Sequence, residues 1–317
     1  MGPQAWIAAA FVILLFGCAP ASSPHRPTEF CGESALEFTR QLVALGPRDA
    51  GTDGAQRAAQ WIAQRLRELG WQAEVDKFAD ISHDVPWTFF NVVAHRRGAR
   101  RDRILFGAHF DTKRGIPPPF EGANDSGSGV GVLLELARVG ANWRWPCDVT
   151  LAFFDGEECR VAYGPRDGLH GSRWLAQRAV REGWSRQVRA VIVVDMVGDR
   201  DWTPTLPLNA HPAVLTALLE AAQSLGLRDR VRLAQGPILD DHQPFLDAGM
   251  PAAVVIDFEY GSRPGANDYW HTPEDRMDKL AAQSLEWTGR LILEAAWKLV
   301  GHPRAAHDSA PRSDVGR

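Results

Sequence analysis

Acidic and imidazole side chains stand beside one apolar run after another in this 317-residue sequence. Runs end at or near His109, Asp111, Asp155, Glu157, Glu158 and Asp195, and between runs stand Asp125, Asp240, Asp241, His242 and His271. If the runs are parallel strands, their carboxyl ends meet at one edge of a sheet and bring these side chains together. Gathered there, they would repel one another or lie unpaired unless a cation held them. The pattern therefore indicates a metal site.

Each of these residues, taken alone, also has an ordinary structural explanation. Asp125 in GANDSGSG could cap a helix, and His271 in WHTPED could precede one. Their convergence favours metal binding, and carboxylates with imidazole and no nearby cysteine pair are typical of catalytic zinc. Neighbouring side chains point in different directions, so one of Glu157 and Glu158 can bind the metal while the other moves protons.

The elements that must position these residues follow from hydrophobic periodicity. Nearly continuous apolar runs, typical of strands buried on both faces, occupy 88–95, 103–110, 148–155, 190–196 and 251–258. Apolar residues at helical spacing occupy 33–45, 55–69, 130–139, 171–180, 211–226 and 281–300. This alternation predicts an α/β fold, a three-layer α/β/α sandwich around a central, mostly parallel mixed sheet.

The two ends of the chain differ in composition from its interior. Residues 1–18 contain an apolar run too short to span a bilayer, followed by small residues and Cys18, which predicts a signal peptide. The sequence Leu-Phe-Gly-Cys resembles the lipobox of bacterial lipoproteins, so we expect export to the periplasm or cell surface with a lipid on Cys18. Ordinary cleavage nearby and an uncleaved anchor are the alternatives. We expect a flexible tether over 19–29, the catalytic zinc-dependent domain over 30–302 and a loose tail over 303–317.

Charge and cysteine content narrow the possible partners. The 35 basic and 39 acidic side chains leave a net charge of −4, without a basic stripe of the kind that binds nucleic acid. We therefore expect no nucleic-acid partner, membrane contact only through the lipid anchor, and a monomer. Apart from Cys18, the odd number formed by Cys31, Cys147 and Cys159 permits at most one disulfide.

Several motifs occur in the order found in zinc aminopeptidases and in their relatives, the animal-type glutaminyl cyclases. They are LGPRDAGTDG, AHFDT, GANDSGSGV, FFDGEE, VVDMVG, LDDHQPFLDAGMP and YWHTPED. The chain resembles these families over about residues 30–300, and GANDS, DGEE and WHT together are the specific part. The resemblance implies a zinc-aminopeptidase-like fold, a zinc ion on Asp125, Glu158 and His271, and Glu157 as general acid/base. It also implies that His109 and Asp195 complete a second metal site in an aminopeptidase.

Three features resemble the cyclases more than the aminopeptidases. They are Asp240 before Asp241 and His242, Trp270 beside His271, and the block DGEECRVAYGPRDGLHGSRWLA. The cyclase resemblance implies that Glu157, Asp195 and Asp240 share a catalytic hydrogen-bond network. It further implies that Trp270, Tyr163 and Lys113 contact the substrate, and that one zinc ion is bound, against two in an aminopeptidase.

The sequence also departs from the cyclase pattern. Tyr163 stands where those enzymes have Trp, and Ala266 where they have another aromatic residue. The cysteines bridged in the animal enzymes fall at Ala108 and Val130. These changes leave the substrate preference open.

The expected activity is that of a glutaminyl-peptide cyclotransferase, which converts the N-terminal glutamine of peptides and proteins to pyroglutamate and releases ammonia. A zinc aminopeptidase that hydrolyses N-terminal residues is the main alternative, because its ligands would be nearly identical. A non-catalytic exported binding protein of the same fold is a third possibility, since fold does not fix function.

Overall fold

The structure is a computed structural model, which describes residues 30–82, 84–301 and 304–305. The predicted signal peptide with Cys18, the predicted tether and most of the predicted tail lie outside the described residues. Within the described part, no helix has both the length and the apolar character needed to cross a bilayer. Cys31, Cys147 and Cys159 are free thiols, so the three form no disulfide with one another.

A mixed sheet of eight strands forms the centre of the fold, and two further short strands pair with each other. The ten strands are β1 (Gln72–Ser82), β2 (Val85–Arg96), β3 (Arg100–His109), β4 (Trp143–Arg144), β5 (Cys147–Phe154), β6 (Val188–Asp195), β7 (Thr205–Leu206), β8 (Arg232–Leu233), β9 (Ala252–Ile256) and β10 (Arg304–Ala305). The order across the large sheet is β1-β2-β5-β3-β6-β9-β7-β8. Strands β5, β3, β6 and β9 are parallel, whereas β2 is antiparallel to β5 and β7 to β9.

Helices cover both faces of the sheet. They are α1 (Gly32–Val43), α2 (Asp53–Glu68), α3 (Gly129–Gly140), α4 (His170–Arg181), α5 (Pro212–Ser224), α6 (Gln243–Asp247) and α7 (Ala282–Val300). Helices α1, α2, α3, α5 and α7 contribute to the hydrophobic core on one face, and α4 and α6 contribute to the core on the other. The predicted three-layer α/β sandwich with a mostly parallel mixed sheet is confirmed.

Strand β3 shows why the apolar runs end in polar residues. Ile104 and Phe106 face the larger core, whereas Leu105 between them faces the smaller one, and all three are fully buried. Successive strand residues point to opposite faces, so a strand covered on both faces must be apolar at every position. That requirement ends at the carboxyl edge, where His109 can enter a polar site.

Candidate active site

The carboxyl edge of the sheet brings the predicted site residues together. Strands and the turns after them supply His109, Glu157, Glu158 and Asp195. The short helical turn Ala123–Ser128 supplies Asp125, and loops supply Asp240 and His271. The turn after β5 depends on Gly156, whose φ is 79° and where a Cβ would lie 2.6 Å from the Phe89 ring. A larger residue does not fit there, so glycine sets the direction in which the chain leaves β5 toward the two glutamates.

Asp125, Glu158 and His271 form a group that we call the outer cluster. Nε2 of His271 lies 2.9 Å from Oε1 of Glu158 and 3.3 Å from Oδ2 of Asp125. One potential ligand atom from each residue lies within 4.8 Å of the others. Zinc binds such atoms at about 2.0–2.2 Å, so its ligand atoms are separated by a little over 3 Å. The outer cluster therefore fits one zinc ion without large movements.

Charge holds the outer cluster together in the absence of a metal. Burial alone would lower the pKa of His271, but Asp125 and Glu158 raise that pKa to about 9. Burial would raise the pKa of Asp125, but His109 and His271 hold it below its usual range. His271 is therefore a charged imidazolium at neutral pH and must lose a proton before it can bind zinc.

Asp275 braces the outer cluster from behind. Its Oδ1 accepts the Asn124 N–H at 2.7 Å and the Tyr260 hydroxyl at 2.8 Å, and its Oδ2 accepts the Asp125 N–H at 3.1 Å. Trp270 adds a direct contact, because its indole N–H donates to Oδ2 of Asp125 at 3.0 Å. Asp275 is not among the predicted site residues, although it is the final residue of the WHTPED block.

Arg48 supports the loop that leads to Asp125 through hydrogen bonds to its backbone. Its fully buried guanidinium donates to the carbonyl oxygens of Phe110 and Gly122 at 2.8 Å and of Glu121 at 3.2 Å. Burial lowers the pKa of Arg48 to about 10, while nearby carboxylates work in the opposite direction. A buried cation with three carbonyl partners fixes the loop, because moving the loop would leave the charge unpaired.

His109, Asp125 and Asp195 form a second group, the inner cluster. Nε2 of His109 lies 3.2 Å from Oδ1 of Asp125 and 3.2 Å from Oδ1 of Asp195. Asp125 thus belongs to both clusters, with Oδ2 facing the outer one and Oδ1 facing the inner one. Burial would lower the pKa of His109, but Asp195, Asp111 and Asp125 raise it well above its usual value. The three residues could hold a second metal ion, and the positive charge of His109 balances the two carboxylates.

Glu157 is a buried carboxyl that interacts through charge with His109 of the inner cluster and with Glu158 of the outer cluster. Burial, more than any other cause, raises its pKa well above the usual range; His109 opposes the shift, and Glu158, Asp241 and Asp240 add to it. The Tyr163 hydroxyl donates to Oε2 of Glu157 at 3.0 Å. A buried carboxyl with a raised pKa beside a potential metal site is suited to accept and return a proton near neutral pH.

The carboxylate of Asp111 fixes the backbone of the two glutamates. Its Oδ1 accepts the N–H of Glu157 and its Oδ2 accepts the N–H of Glu158, each at 3.2 Å. Both backbone groups are thereby held by one side chain at the end of β3. The Glu158 side chain can then reach His271 while the Glu157 side chain reaches Tyr163.

Asp240 lies near the inner cluster, but no hydrogen bond joins its side chain to Asp195 or Glu157. Burial raises its pKa well above the usual range, and the negative charges of Asp195 and Asp241 raise it further. Asp240 therefore interacts with Asp195 and Glu157 through charge. The resemblance to the cyclases had predicted a hydrogen-bond network shared by these three carboxylates. His242 lies outside both clusters: its Nε2 lies 3.2 Å from Nδ2 of Asn209, and burial lowers its pKa to about 4.

Trp270 and Tyr163 form part of the wall and the rim beside the outer cluster. The Trp270 ring stacks on the His271 ring with centroids 4.2 Å apart, and Tyr163 is 37% exposed. Lys113 is engaged by the protein itself: its ammonium donates to Oε2 of Glu158 at 3.2 Å and to the Cys159 carbonyl at 2.8 Å. In this structure Lys113 therefore orients Glu158.

The model of peptidase family M28 matches residues 91–296 of the chain. The chain belongs to peptidase family M28. Over 287 residues it is 29% identical to a glutaminyl-peptide cyclotransferase of Drosophila melanogaster, with 79% of each chain covered. The structure of a glutaminyl cyclase from an Acidobacteriales bacterium superimposes with a TM-score of 0.80 at 32% identity, covering 89% of this chain and 98% of the relative. These matches confirm the resemblance to glutaminyl cyclases.

Zinc exopeptidases are also structural relatives of this M28 protein. A Zn-dependent exopeptidase from Parabacteroides distasonis gives a TM-score of 0.73 at 26% identity, covering 84% of this chain and 97% of that one. Both kinds of relative thus share the fold that presents the two clusters of this M28 protein at one sheet edge.

Proposed function

We propose that this M28 protein is a glutaminyl-peptide cyclotransferase that converts N-terminal glutamine into pyroglutamate and ammonia. The observation that carries this proposal is the position of Glu157, a buried acid next in sequence to the metal-ligand candidate Glu158 and held by the Tyr163 hydroxyl. The reaction needs one polarised carbonyl and one group that moves a proton between two nitrogens. The outer cluster and Glu157 offer these two functions side by side.

Zinc is the metal that the outer cluster fits. Asp125, Glu158 and His271 supply two carboxylates and one imidazole, a donor set of catalytic zinc sites that leaves a position open for substrate. When bound there, the ion would act as a Lewis acid on the side-chain amide carbonyl of the substrate glutamine. One ion is enough for this reaction, because no water nucleophile is required.

Glu157 would carry the proton through the reaction. Its carboxylate would accept a proton from the substrate α-amine as the amine nitrogen attacks the side-chain amide carbon. Glu157 would then return that proton to the amide nitrogen, which leaves as ammonia when its bond to carbon breaks. Asp240 would support the transfer, because burial and the negative charge of Asp240 favour the protonated form of Glu157 during the reaction. Asp195 would act through Asp240, whose pKa its charge raises.

Positioning supplies much of the remaining catalytic effect, because the ring closes within one molecule. Such reactions gain their rate from a fixed near-attack geometry and from a site that is already organised around the developing charge. Trp270 would hold the aliphatic stem of glutamine against its ring, and Tyr163 and Lys113 would limit the pocket on the rim side. The hydrogen bond from the Trp270 N–H to Asp125 would fix the position of the Trp270 ring relative to the zinc ligands.

A zinc aminopeptidase is the second candidate function, and the inner cluster is the observation that favours it. His109, Asp125 and Asp195 bring three potential ligand atoms within 4.8 Å of one another, as a second ion would need. Two ions held by the outer and inner clusters would supply the activation of water needed to hydrolyse the first peptide bond. The two candidates differ in the number of ions and in the bond that is broken.

The cellular setting is also part of the proposal and depends on the sequence alone. An exported protein anchored through a lipid on Cys18 would meet the N-termini of peptides and proteins in the periplasm or at the cell surface. A monomer would suffice, because every residue assigned to the reaction comes from a single chain.

Two peptides separate the candidate activities. The zinc-loaded enzyme is given one peptide that begins with Gln, with ammonia measured, and one that begins with Leu, with free amino acid measured. Ammonia release together with one zinc per chain supports the cyclase. Release of free leucine with two zinc ions per chain establishes the aminopeptidase, and no turnover of either peptide contradicts both.

A further inference from the structure

The turn between β2 and β3 concentrates positive charge at the amino edge of the sheet, opposite the candidate active site. Residues 95–103 read HRRGARRDR, with five arginines and one aspartate, in a chain whose net charge is −4. The balance over the whole chain conceals this local excess. A local excess of arginine attracts anions whatever the sign of the total charge.

A cavity of about 380 Å³ lies against this turn. It is lined by Arg96, Arg97, Arg101 and Arg103, with His95 and a single acid, Asp148. The cavity lies between the first residues of β3 and β5 and the last residues of β2. None of the residues assigned to the proposed reaction lines it, so the cavity is a separate feature of the molecule.

The described acids balance the charge of the arginines of this cavity only in part, and Asp148 and Glu182 act on Arg103 without forming an ion pair with it. The Arg96 guanidinium donates to the carbonyl oxygens of Gly70 and Ala141, which satisfies its hydrogen bonds but leaves its charge uncompensated. Arg97 and Arg103 form no ion pair with any residue that the structure describes. Arg101 is 4.0 Å from Asp148, but its side chain is 73% exposed, so that pair contributes little.

Arg103 is oriented so that its planar guanidinium can bind two oxygens of one anion. Its guanidinium lies over the Trp184 ring, 4.6 Å from the centroid, and its buried Nε has no hydrogen-bond partner among the described residues. A guanidinium stacked on an aromatic ring keeps its N–H groups in one fixed plane, the geometry that binds two oxygens of a phosphate group. An unpaired buried donor costs free energy unless a ligand satisfies it.

His95 and Asp148 do not cancel this charge. Burial and, to a smaller extent, the charge of Arg103 lower the pKa of His95 to about 4, so the ring is neutral at physiological pH. Nδ1 of His95 lies 3.0 Å from the Thr150 hydroxyl oxygen. Oδ1 of Asp148 accepts the Gly98 N–H at 2.9 Å, which ties this acid to the backbone of the turn. The cavity thus holds a surplus of positive charge and a neutral imidazole.

We propose that this cavity is a binding site for a phosphate-bearing anion, in which Arg103 and Arg97 contact the phosphate oxygens. Both a free phosphate and the headgroup of an anionic phospholipid have this chemistry. The proposal is independent of the cyclase assignment, because it uses the opposite edge of the sheet.

Calorimetric titration of the full chain with inorganic phosphate at low salt tests the site directly. We expect saturable binding, weakened about tenfold by Arg97→Gln, because a charge-assisted contact is lost. Arg103→Gln should weaken it at least as much. The matched control is Arg57→Gln, which removes the same charge from an exposed position on α2 and should leave the affinity unchanged. Arg97 is exposed, so its variant tests the site even if Arg103→Gln fails to fold.

Vesicle flotation separates the two sources of phosphate. The full chain with Cys18→Ser, which cannot be lipidated at that position, is mixed with phosphatidylglycerol vesicles or with phosphatidylcholine vesicles. If the protein floats with phosphatidylglycerol vesicles but not with phosphatidylcholine vesicles, and Arg97→Gln abolishes that flotation, the site binds a lipid headgroup. If phosphate binds in the calorimeter but the protein does not float, the site binds free phosphate. The proposal is overturned if neither probe binds, or if Arg57→Gln weakens binding as much as Arg97→Gln does.

Discussion

The outer and inner clusters share Asp125 but differ in how their charge is balanced. The outer cluster reaches the surface through His271, whose side chain is 21% exposed, and it has a tryptophan wall and a tyrosine rim. The inner cluster is more deeply buried, and His109 lies within hydrogen-bond distance of Asp125 and Asp195. The outer cluster can be reached from the surface. In the buried inner cluster, the positive charge of His109 balances the carboxylates of Asp125 and Asp195.

This difference teaches that a set of potential ligands does not by itself predict the number of ions. A buried imidazolium among carboxylates compensates their charge, as a metal ion would, at the cost of burying one charged ring. Two proteins with the same five ligand types can therefore bind one ion or two. The outcome depends on whether the inner histidine keeps its proton, and the following changes act on that balance.

Removal of the outer imidazole should have the largest effect. With His271→Ala we expect loss of stoichiometric zinc and a fall in glutamine cyclisation of at least about a thousandfold, because Lewis-acid stabilisation is worth several kcal/mol. His109→Ala is the matched change in the inner cluster and should cost less than about tenfold while zinc remains bound. Zinc content by mass spectrometry and ammonia release measure both. Equal losses would contradict the closed inner cluster and favour two ions.

Substitution of the proton carrier should separate chemistry from metal binding. Glu157→Gln keeps the shape of the side chain, so we expect kcat to fall about a thousandfold, within the range for a general acid/base, with one zinc retained. Glu68→Gln, at an exposed position on α2, is the control and should be neutral. Loss of zinc in the Glu157 variant would show that this residue is a ligand and would reverse the assignment of the two glutamates.

Weakening the brace behind Asp125 should lower zinc affinity by an intermediate amount. Asp275→Asn keeps the size of the side chain but offers one acceptor oxygen in place of two, so one of the two backbone N–H groups loses its partner. We expect zinc affinity to fall about 10- to 100-fold, as for other residues that orient metal ligands. Tyr260→Phe removes only the hydroxyl bond to Asp275 and should have a smaller effect. Competition with a chelator measures both, and unchanged affinity in Asp275→Asn would refute the bracing role.

The pH dependence of zinc binding tests the charge on His271. Its pKa in the metal-free protein is raised to about 9, above the usual value of 6.5. Stability from its protonated form is therefore complete below pH 6.5 and fades as the pH rises toward 9. Zinc competes with the same proton, so its affinity should rise by up to about tenfold per pH unit between 6.5 and 9 and then level off. An affinity that is flat across that range would contradict a protonated His271.

The central strands and the site edge could be predicted from the sequence because their signals are local. Strands β3, β5, β6 and β9 are nearly continuous apolar runs, and the polar residue that ends each run marks the carboxyl edge. Strand β1 was not predicted, since Gln72–Ser82 lies at the sheet margin and mixes exposed charged residues with few buried ones. Without a fully covered face, such a strand carries no clear apolar period.

The supporting contacts could not be read from the sequence, because they depend on residues distant along the chain. Arg48 and Asp275 act on backbone groups far from them in sequence, so neither has a local pattern beyond an ordinary polar residue. The bonds from the Lys113 ammonium to Glu158 and to the Cys159 carbonyl also join residues far apart in sequence, and the contact of Lys113 with substrate stays a prediction. Residue types at the strand ends indicated the chemistry, but only the folded chain shows which residues hold the others in place.

If Asp125 binds zinc as proposed, the indole N–H bond from Trp270 to Oδ2 of Asp125 would link the binding of a molecule beside Trp270 to retention of the ion. A molecule that packs against the Trp270 ring stabilises that hydrogen bond, and a bound ion fixes the carboxylate that receives it. Linkage is reciprocal, so each should strengthen the other by the same factor. A tight pocket ligand would then slow removal of the ion by a chelator, and demetallated protein would bind the same ligand more weakly even though the ring touches no metal.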